Sequence, residues 1–167
     1  MESENNEKII SYLTFKIGDE MFATHVSVVL NIIEMLKITK VPNTPAYMKG
    51  IINLRGMILP VIDARLKFGL PEAEYTDKTC IVVMDIKLND EIDHVGLLVD
   101  EVSEVLLIED SQIEPPPLLG SMFKTSMITG ITKYDDSMIM IIDVINLFSI
   151  AEMGEIANVQ SNSLEIA

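Results

Sequence analysis

The chain reads as an all-β protein, mainly strands with short helices, folded as two small β-barrels that share one duplicated plan. Three observations lead there. Gly50-Ile51 opens a stretch that runs through Ile62-Asp63 to Phe68, and Gly130-Ile131 opens a second that runs through Ile142-Asp143 to Phe148. Aligned without a gap at a spacing of 80 residues, five landmarks coincide (Gly, Ile, Ile, Asp and Phe), and self-similarity of this kind marks a repeated supersecondary unit. Second, many short apolar runs are separated by turn residues, as small barrels require. Third, the chain is 49% hydrophobic but only 5% aromatic, with no Trp, so its core is aliphatic and includes many of its 11 Met. Closing strands into barrels removes exposed sheet edges, which suits so apolar a set.

The elements follow in order. Residues 1–9 are a polar leader, expected to be mobile. From Tyr12 the chain alternates, with Tyr12, Thr14 and Lys16 on one side and Leu13, Phe15 and Ile17 on the other. Gly18-Asp19 turns it and Met21-Phe22-Ala23 returns, a hairpin signal. Residues 26–38 carry two signals. Val28, Val29, Ile32 and Ile33 fit a helical face, whereas the β-branched content favours a turn and then a strand. The segment Val41-Pro42-Asn43-Thr44-Pro45 is an extended loop, because proline also restricts the residue before it.

The first repeat then gives a strand at 51–54, a turn at Arg55-Gly56 and a returning strand at 57–62. Asp63 suits a helix N-cap, and Gly69 with Pro71 stops the short helix at 64–68. A polar bridge at 72–78 leads to an apolar strand at 79–85, and a charged loop is expected at 87–93. Residues 94–99 and 102–108 echo 21–26 and 29–33. Ile113-Glu114-Pro115-Pro116-Pro117 stands where the earlier proline loop stood, lengthened up to Gly120. Strands at 127–132 and 138–142 and a helix capped by Asp143 complete the second copy. Residues 10–150 thus form one domain of two interleaved barrel lobes, with a cleft expected between them. Residues 151–167 are an acidic, amide- and serine-rich tail.

Charge narrows the partners. Twenty-six acidic against 12 basic side chains give a formal net charge of −14, which disfavours nucleic acid and anionic lipid. The leader lacks a basic region followed by an apolar one, and no apolar run is long enough to span a bilayer, so membrane insertion is not expected. The single Cys80 lies in an apolar run and reads as a small core residue in a cytoplasmic chain.

Reaction chemistry has little support. His25 and His94 occupy similar places in two hairpins, yet neither has a second His at helical spacing or clustered Cys, so both read as ordinary strand side chains rather than metal ligands. Asp63 and Asp143 fit capping better than a carboxylate pair. No phosphate-cradling glycine loop or nucleophile elbow occurs, so no enzyme, cofactor or metal is expected. The apolar residues of 28–36 exceed what one buried face needs, which points either to a partner surface or to burial on both faces.

The stretch Asn43-Thr44-Pro45-Ala46-Tyr47-Met48-Lys49-Gly50-Ile51-Ile52-Asn53-Leu54-Arg55-Gly56-Met57-Ile58-Leu59-Pro60-Val61-Ile62-Asp63 closely resembles the bacterial chemotaxis coupling protein CheW family. Val95-Gly96-Leu97-Leu98-Val99-Asp100, Val102 and the late repeat extend the resemblance over residues 10–150. It implies two SH3-like five-stranded β-barrels and a non-catalytic adaptor, recruited in the cytoplasm to membrane-associated receptor arrays. Such an adaptor joins the cytoplasmic tip of chemoreceptors to the regulatory domain of the histidine kinase CheA, a relative of the same fold, and affects kinase activity. The alternative is a kinase-independent scaffold that binds peptides or receptors, or assembles rings by itself.

The resemblance also implies site residues. Arg55 matches an arginine used in coupling, and a guanidinium on a tight turn can fork a carboxylate. Gly50, Asn53 and Leu54 lie beside it. Val28, Asn31 and Ile32 match a receptor-contacting segment, and Val99, Val102 and Val105 are its counterpart in the second half. The family commonly carries Glu where this chain has Asn31, so an Arg–Glu couple is not implied. Glu34, three residues on, is the nearest carboxylate that could replace it.

Overall fold

The computed structural model describes residues 8–88, 91–116 and 127–147. Ten strands form two five-stranded sheets. They are β1 (Ile9–Ile17), β2 (Glu20–His25), β3 (Val29–Glu34), β4 (Met48–Leu54), β5 (Met57–Asp63), β6 (Cys80–Leu88), β7 (Glu91–Val99), β8 (Glu101–Glu109), β9 (Ile128–Tyr134) and β10 (Ser137–Ile142). Short helices α1 (Ala64–Lys67) and α2 (Val144–Leu147) follow β5 and β10. Sheet I has the order β8-β1-β2-β10-β9 and sheet II the order β3-β6-β7-β5-β4.

The two orders are one pattern. If each copy contributes five strands, each sheet combines the first two strands of one copy with the last three of the other. The register makes this quantitative. Val61 pairs with Gly96, and Ile141, its counterpart 80 residues on, pairs with Ala23. Continuing across the ladders, Leu13 corresponds to Val82 and Val105 to Ile32. The lobes are therefore interleaved by exchanged hairpins.

The barrels are curled rather than fully closed. After β3 the chain crosses to the opposite edge, where Thr39 and Ile51 exchange two backbone hydrogen bonds of 2.9 Å. After β8, Glu114 and Ile131 do the same at 2.8 Å. These crossings explain the repeated glycine. A Cβ on Gly50 would lie 2.2 Å from the Thr39 carbonyl oxygen, and one on Gly130 would lie 2.4 Å from Ile113 Cγ2. Only glycine admits so close an approach.

Residues 26–38 resolve into a 3₁₀ turn at Val26–Val28 and then β3. Their helical signal has a physical source. A β-bulge at Leu30 puts Val29 opposite Met84 and Ile32 opposite Val82, so residues three apart share a face, as they would on a helix. The same bulge recurs on β8, where Val102 faces Phe15 and Val105 faces Leu13. There the Thr14 hydroxyl donates to the Glu104 carbonyl at 2.7 Å and accepts from its N–H at 3.1 Å.

Asp63 caps α1 by accepting from Leu66 N–H at 3.3 Å. Asp143 does so at α2, accepting from Ile145 and Asn146 N–H at 3.0 and 3.2 Å. The charged loop expected at 87–93 is instead mostly strand. β6 runs to Leu88 and β7 starts at Glu91, with Lys87 opposite Ile92, because cross-strand pairing continues the apolar ladder into its polar end. The proline segment is described only to Pro116; its insertion, the leader before Lys8 and the tail lie outside the described residues.

Three apolar clusters hold the fold. Ile52, Leu59, Val61, Ile81, Val83 and Leu98 fill the interior of sheet II. Tyr12, Ala23, Ile108, Ile139 and Ile141 fill that of sheet I. The largest cluster lies between the sheets and joins Phe15, Phe22 and Ile142 to Val82, Met84 and Leu97. β6 thus buries both faces, Ile81 and Val83 inward and Val82 and Met84 between the sheets, which accounts for its unbroken apolar run. This layer also corrects the expected cleft: the space between the lobes is packed core.

Candidate partner-binding surface

Arg55 stands at the tip of the β4–β5 hairpin, in a two-residue turn. Both central residues are left-handed, Arg55 at φ 53° and Gly56 at φ 86°. This type of turn matches strand twist but favours Asn, Asp or Gly at its first central position, and an arginine there costs about 1 kcal/mol. Asn53 Oδ1 accepts from Gly56 N–H at 2.8 Å and fixes the loop. Leu54 is half-buried and packs on the sheet II interior. The guanidinium itself is exposed and has no hydrogen bond or ion pair among the described residues. Glu34 is likewise exposed, and no Arg55–Glu34 ion pair occurs among those residues. The second arginine is used differently. Arg65 Nε lies 3.0 Å from both oxygens of Asp100, which also accepts from Gly18 N–H at 2.7 Å, so a helix of sheet II is tied to a turn of sheet I.

The other expected residues divide by burial. Asn31 is exposed, its Oδ1 accepting from Ile32 N–H at 2.9 Å, and Ile32 is 42% exposed. Val105, the equivalent of Ile32, is 55% exposed. Val28 and Val102 are half-buried and pack against the core between the sheets. Val99 and Gly50 offer a partner nothing. Val99 is 1% exposed within that core, and Gly50 lies under Thr39. Val99 ends β7 within the layer, whereas Val105 stands on the edge strand β8, on the same face as Leu13 but beyond the packed core. The expected set therefore lies in three places. Val28, Asn31 and Ile32 are on one edge of sheet II, and Asn53 to Arg55 are at its opposite edge. Val102 and Val105 are on the edge of sheet I.

Sequence reasoning missed Ile9, Leu30 and Leu107, which are 58, 50 and 70% exposed. Ile9 and Leu107 lie in phase with the core-facing Leu13, so alternation in the sequence carries no signal of their exposure. The histidines have local partners. His25 Nε2 lies 3.4 Å from the Tyr12 hydroxyl. His94 Nδ1 lies 2.5 Å from Asp85 Oδ1, directly across the β6–β7 ladder. Cys80 is half-buried and its thiol is pushed up by burial. A shallow cavity of about 290 Å³ beside the Arg65–Asp100 pair is lined by both cations and anions, including Lys16, Lys78, Glu74 and Glu101, and so selects neither charge. Among the described residues no group of three or more His, Cys, Asp or Glu side chains could hold a metal ion. No helix of the described residues is long and apolar enough to cross a membrane.

The CheW-like domain profile matches residues 11–152. A probable chemotaxis protein CheW of Rhizobium etli is 37% identical over 140 residues, covering 84% of this chain and 88% of that protein. The chemotaxis protein CheW of Klebsiella aerogenes is 34% identical over 148 residues, covering 89% and 87%. The crystal structure of the scaffolding protein TtCheW from Thermoanaerobacter tengcongensis superposes with a TM-score of 0.77 at 34% identity, covering 89% of this chain and 93% of that one.

Proposed function

The chain belongs to the CheW-like domain family, and from that premise we propose that it is a non-catalytic chemotaxis adaptor. It couples the cytoplasmic tips of chemoreceptors to the regulatory domain of the histidine kinase CheA, in the cytoplasm, and thereby affects kinase activity. One observation carries the reading beyond the family: Arg55 occupies a backbone conformation that disfavours it, with its guanidinium exposed and the turn held by Asn53. A locally unfavourable residue that does nothing for its own fold is the pattern expected where a side chain serves a partner. Ile32 and Val105 supply apolar contact at equivalent edges of the two sheets, with Asn31 beside the first. Gly50 and Val99 act only through the fold, and Val28, Leu54 and Val102 support these surfaces from below.

Calorimetric titration with the CheA regulatory domain of the same organism tests this. Saturable binding with a dissociation constant on the order of micromolar is expected. Arg55→Glu should weaken it about tenfold, near 1.4 kcal/mol, with the circular dichroism spectrum unchanged. Val105→Asp is a better probe of the second edge than a Val102 substitution, because Val102 is partly core. No heat, and no complex on sedimentation, would remove the kinase-coupling role; self-assembly without the kinase would then favour an independent scaffold.

A further inference from the structure

We propose that the β1–β2 hairpin is exchangeable between two copies of this chain, giving a closed dimer hinged at Val26–Val28. The hairpin is slotted between other strands. β1 pairs with β8 along Ile9–Lys16, and β2 pairs with β10 along Met21–Ala23. It supplies Phe15, Ile17 and Phe22 to the core between the sheets. Its connection to β3 is residues 26–28. If the hairpin leaves, β8 loses its one strand partner among the described residues, and β10 gains a bare edge. A slot with two edges, a bulged register and an apolar floor fits the hairpin of a second copy.

The hinge is set apart by a difference between the two junctions where a hairpin passes into the next sheet. Continuing the parallel ladder past Val61–Gly96 and Asp63–Leu98 leads to Arg65 and Asp100. There Arg65 Nε lies 3.0 Å from both oxygens of Asp100, which accepts from Gly18 N–H at 2.7 Å. Asp100 N–H also donates to the Lys16 carbonyl at 3.0 Å. That junction is locked. Continuing the equivalent ladder past Ile141–Ala23 leads to Ile145 and Ser27. Ile145 is 56% exposed, and Ser27 is exposed with no side-chain hydrogen bond among the described residues. Ser27 sits in a single 3₁₀ turn without a side-chain cap. Its two neighbours in that turn are valines, whose branching favours extended backbone. Straightened, the three residues span about 10 Å, which carries the hairpin off its own β8.

The contacts that the hairpin makes at home, including Thr14 with Glu104 and Gly18 with Asp100, then reform between the copies. Assembly stops at two, because each copy gives one hairpin and fills one slot. Arg55, Ile32 and Val105 lie outside the hairpin and its hinge, so the inference does not rest on the kinase-coupling reading.

Refolding the full chain from denaturant at two protein concentrations, about a hundredfold apart, tests the exchange by sedimentation. The concentrated sample should hold at least about five times the dimer fraction, and its dimer should outlast dilution, because release requires the hairpin to come out. Cys80→Ala chains carrying either Ser11→Cys or Leu107→Cys are then refolded together and oxidised. Residues 11 and 107 are opposite in the β1–β8 register, so a disulfide between the unlike chains reports a crossed hairpin. Ser27→Asp with Ile145→Arg installs the Asp100–Arg65 pair at the free junction and should cut the dimer fraction about fivefold. If that variant fails to fold by circular dichroism, a pair of glycines inserted after Ser27 should do the same, since a longer hinge lets the hairpin close on its own chain. Absence of a dimer at high concentration overturns the proposal. So does a dimer without the mixed disulfide, which is a face contact between intact copies, and so does a dimer fraction that the folded hinge variants leave unchanged.

Discussion

Sheets I and II share topology, register and bulges but not contents. Ile81 in sheet II corresponds to Tyr12 in sheet I, Val83 to Thr14, Leu98 to His25 and Ile52 to Thr132. The interior of sheet II is wholly aliphatic, while that of sheet I carries hydroxyls and an imidazole. The hairpin tips diverge as well. Arg55-Gly56 in one becomes Asp135-Asp136 in the other, and all four residues keep positive φ. What persists between the copies is backbone geometry: the left-handed turns, the bulges, the capping Asp and the glycine under a crossing segment. Side-chain chemistry has diverged around it. Geometry that admits few residues is what makes the duplication visible, and chemistry that admits many is where the lobes specialise.

The crossing glycines give the sharpest break. Gly50→Ala should cost about 3–5 kcal/mol, because its Cβ meets backbone at a φ of 147°. Gly130→Ala should cost about 1–3 kcal/mol, since its nearest obstacle is the Ile113 side chain. Thermal unfolding by calorimetry should rank them in that order; equal losses would mean that the two crossings are equally rigid. Next, Thr14→Val places in sheet I the residue that sheet II uses at the same point. It should nevertheless destabilise by about 1–3 kcal/mol in denaturant titration, because Glu104 N–H loses its acceptor at the bulge.

The two caps offer a finer contrast with a pH signature. Asp63 is 4% exposed and burial pushes its carboxyl up, whereas Asp143 is half-buried. A raised folded-state pKa means that ionisation opposes folding above the unfolded-state value. Asp63→Asn should therefore stabilise by about 0.5–1 kcal/mol at neutral pH. The gain should vanish at acid pH, where Asp63 is protonated in both states; a gain that persisted there would assign the effect to packing. The smallest change expected in stability is at the tips. Arg55→Asn should raise stability by about 0.5–1 kcal/mol while weakening the kinase binding proposed above. Asp135→Asn should alter neither by a measurable amount.

Most strands, both caps and the duplication were legible because alternation, turn residues and repeated landmarks each report local geometry. The candidate surface was only half legible. Val99, Val102 and Val105 look alike in sequence, yet one ends a buried strand and two flank a bulge that resets the alternation. Gly50 lies in the same stretch as Arg55, whereas the Thr39 crossing that covers it arrives from eleven positions earlier. The Arg65–Asp100 pair joins residues 35 apart, which no local pattern encodes.

The exchange of hairpins also sets an order of events. All of sheet II lies in one unbroken run, from Val29 to Val99. Sheet I needs β1 to wait for β8, a closure that spans 90 residues at the Thr14–Glu104 bond, and it then needs β10 for β2. Nonlocal pairing slows folding. On a ribosome, sheet II can therefore assemble while the N-terminal hairpin has no partner. The adaptor becomes competent only when its last strands emerge and sheet I closes around that waiting hairpin.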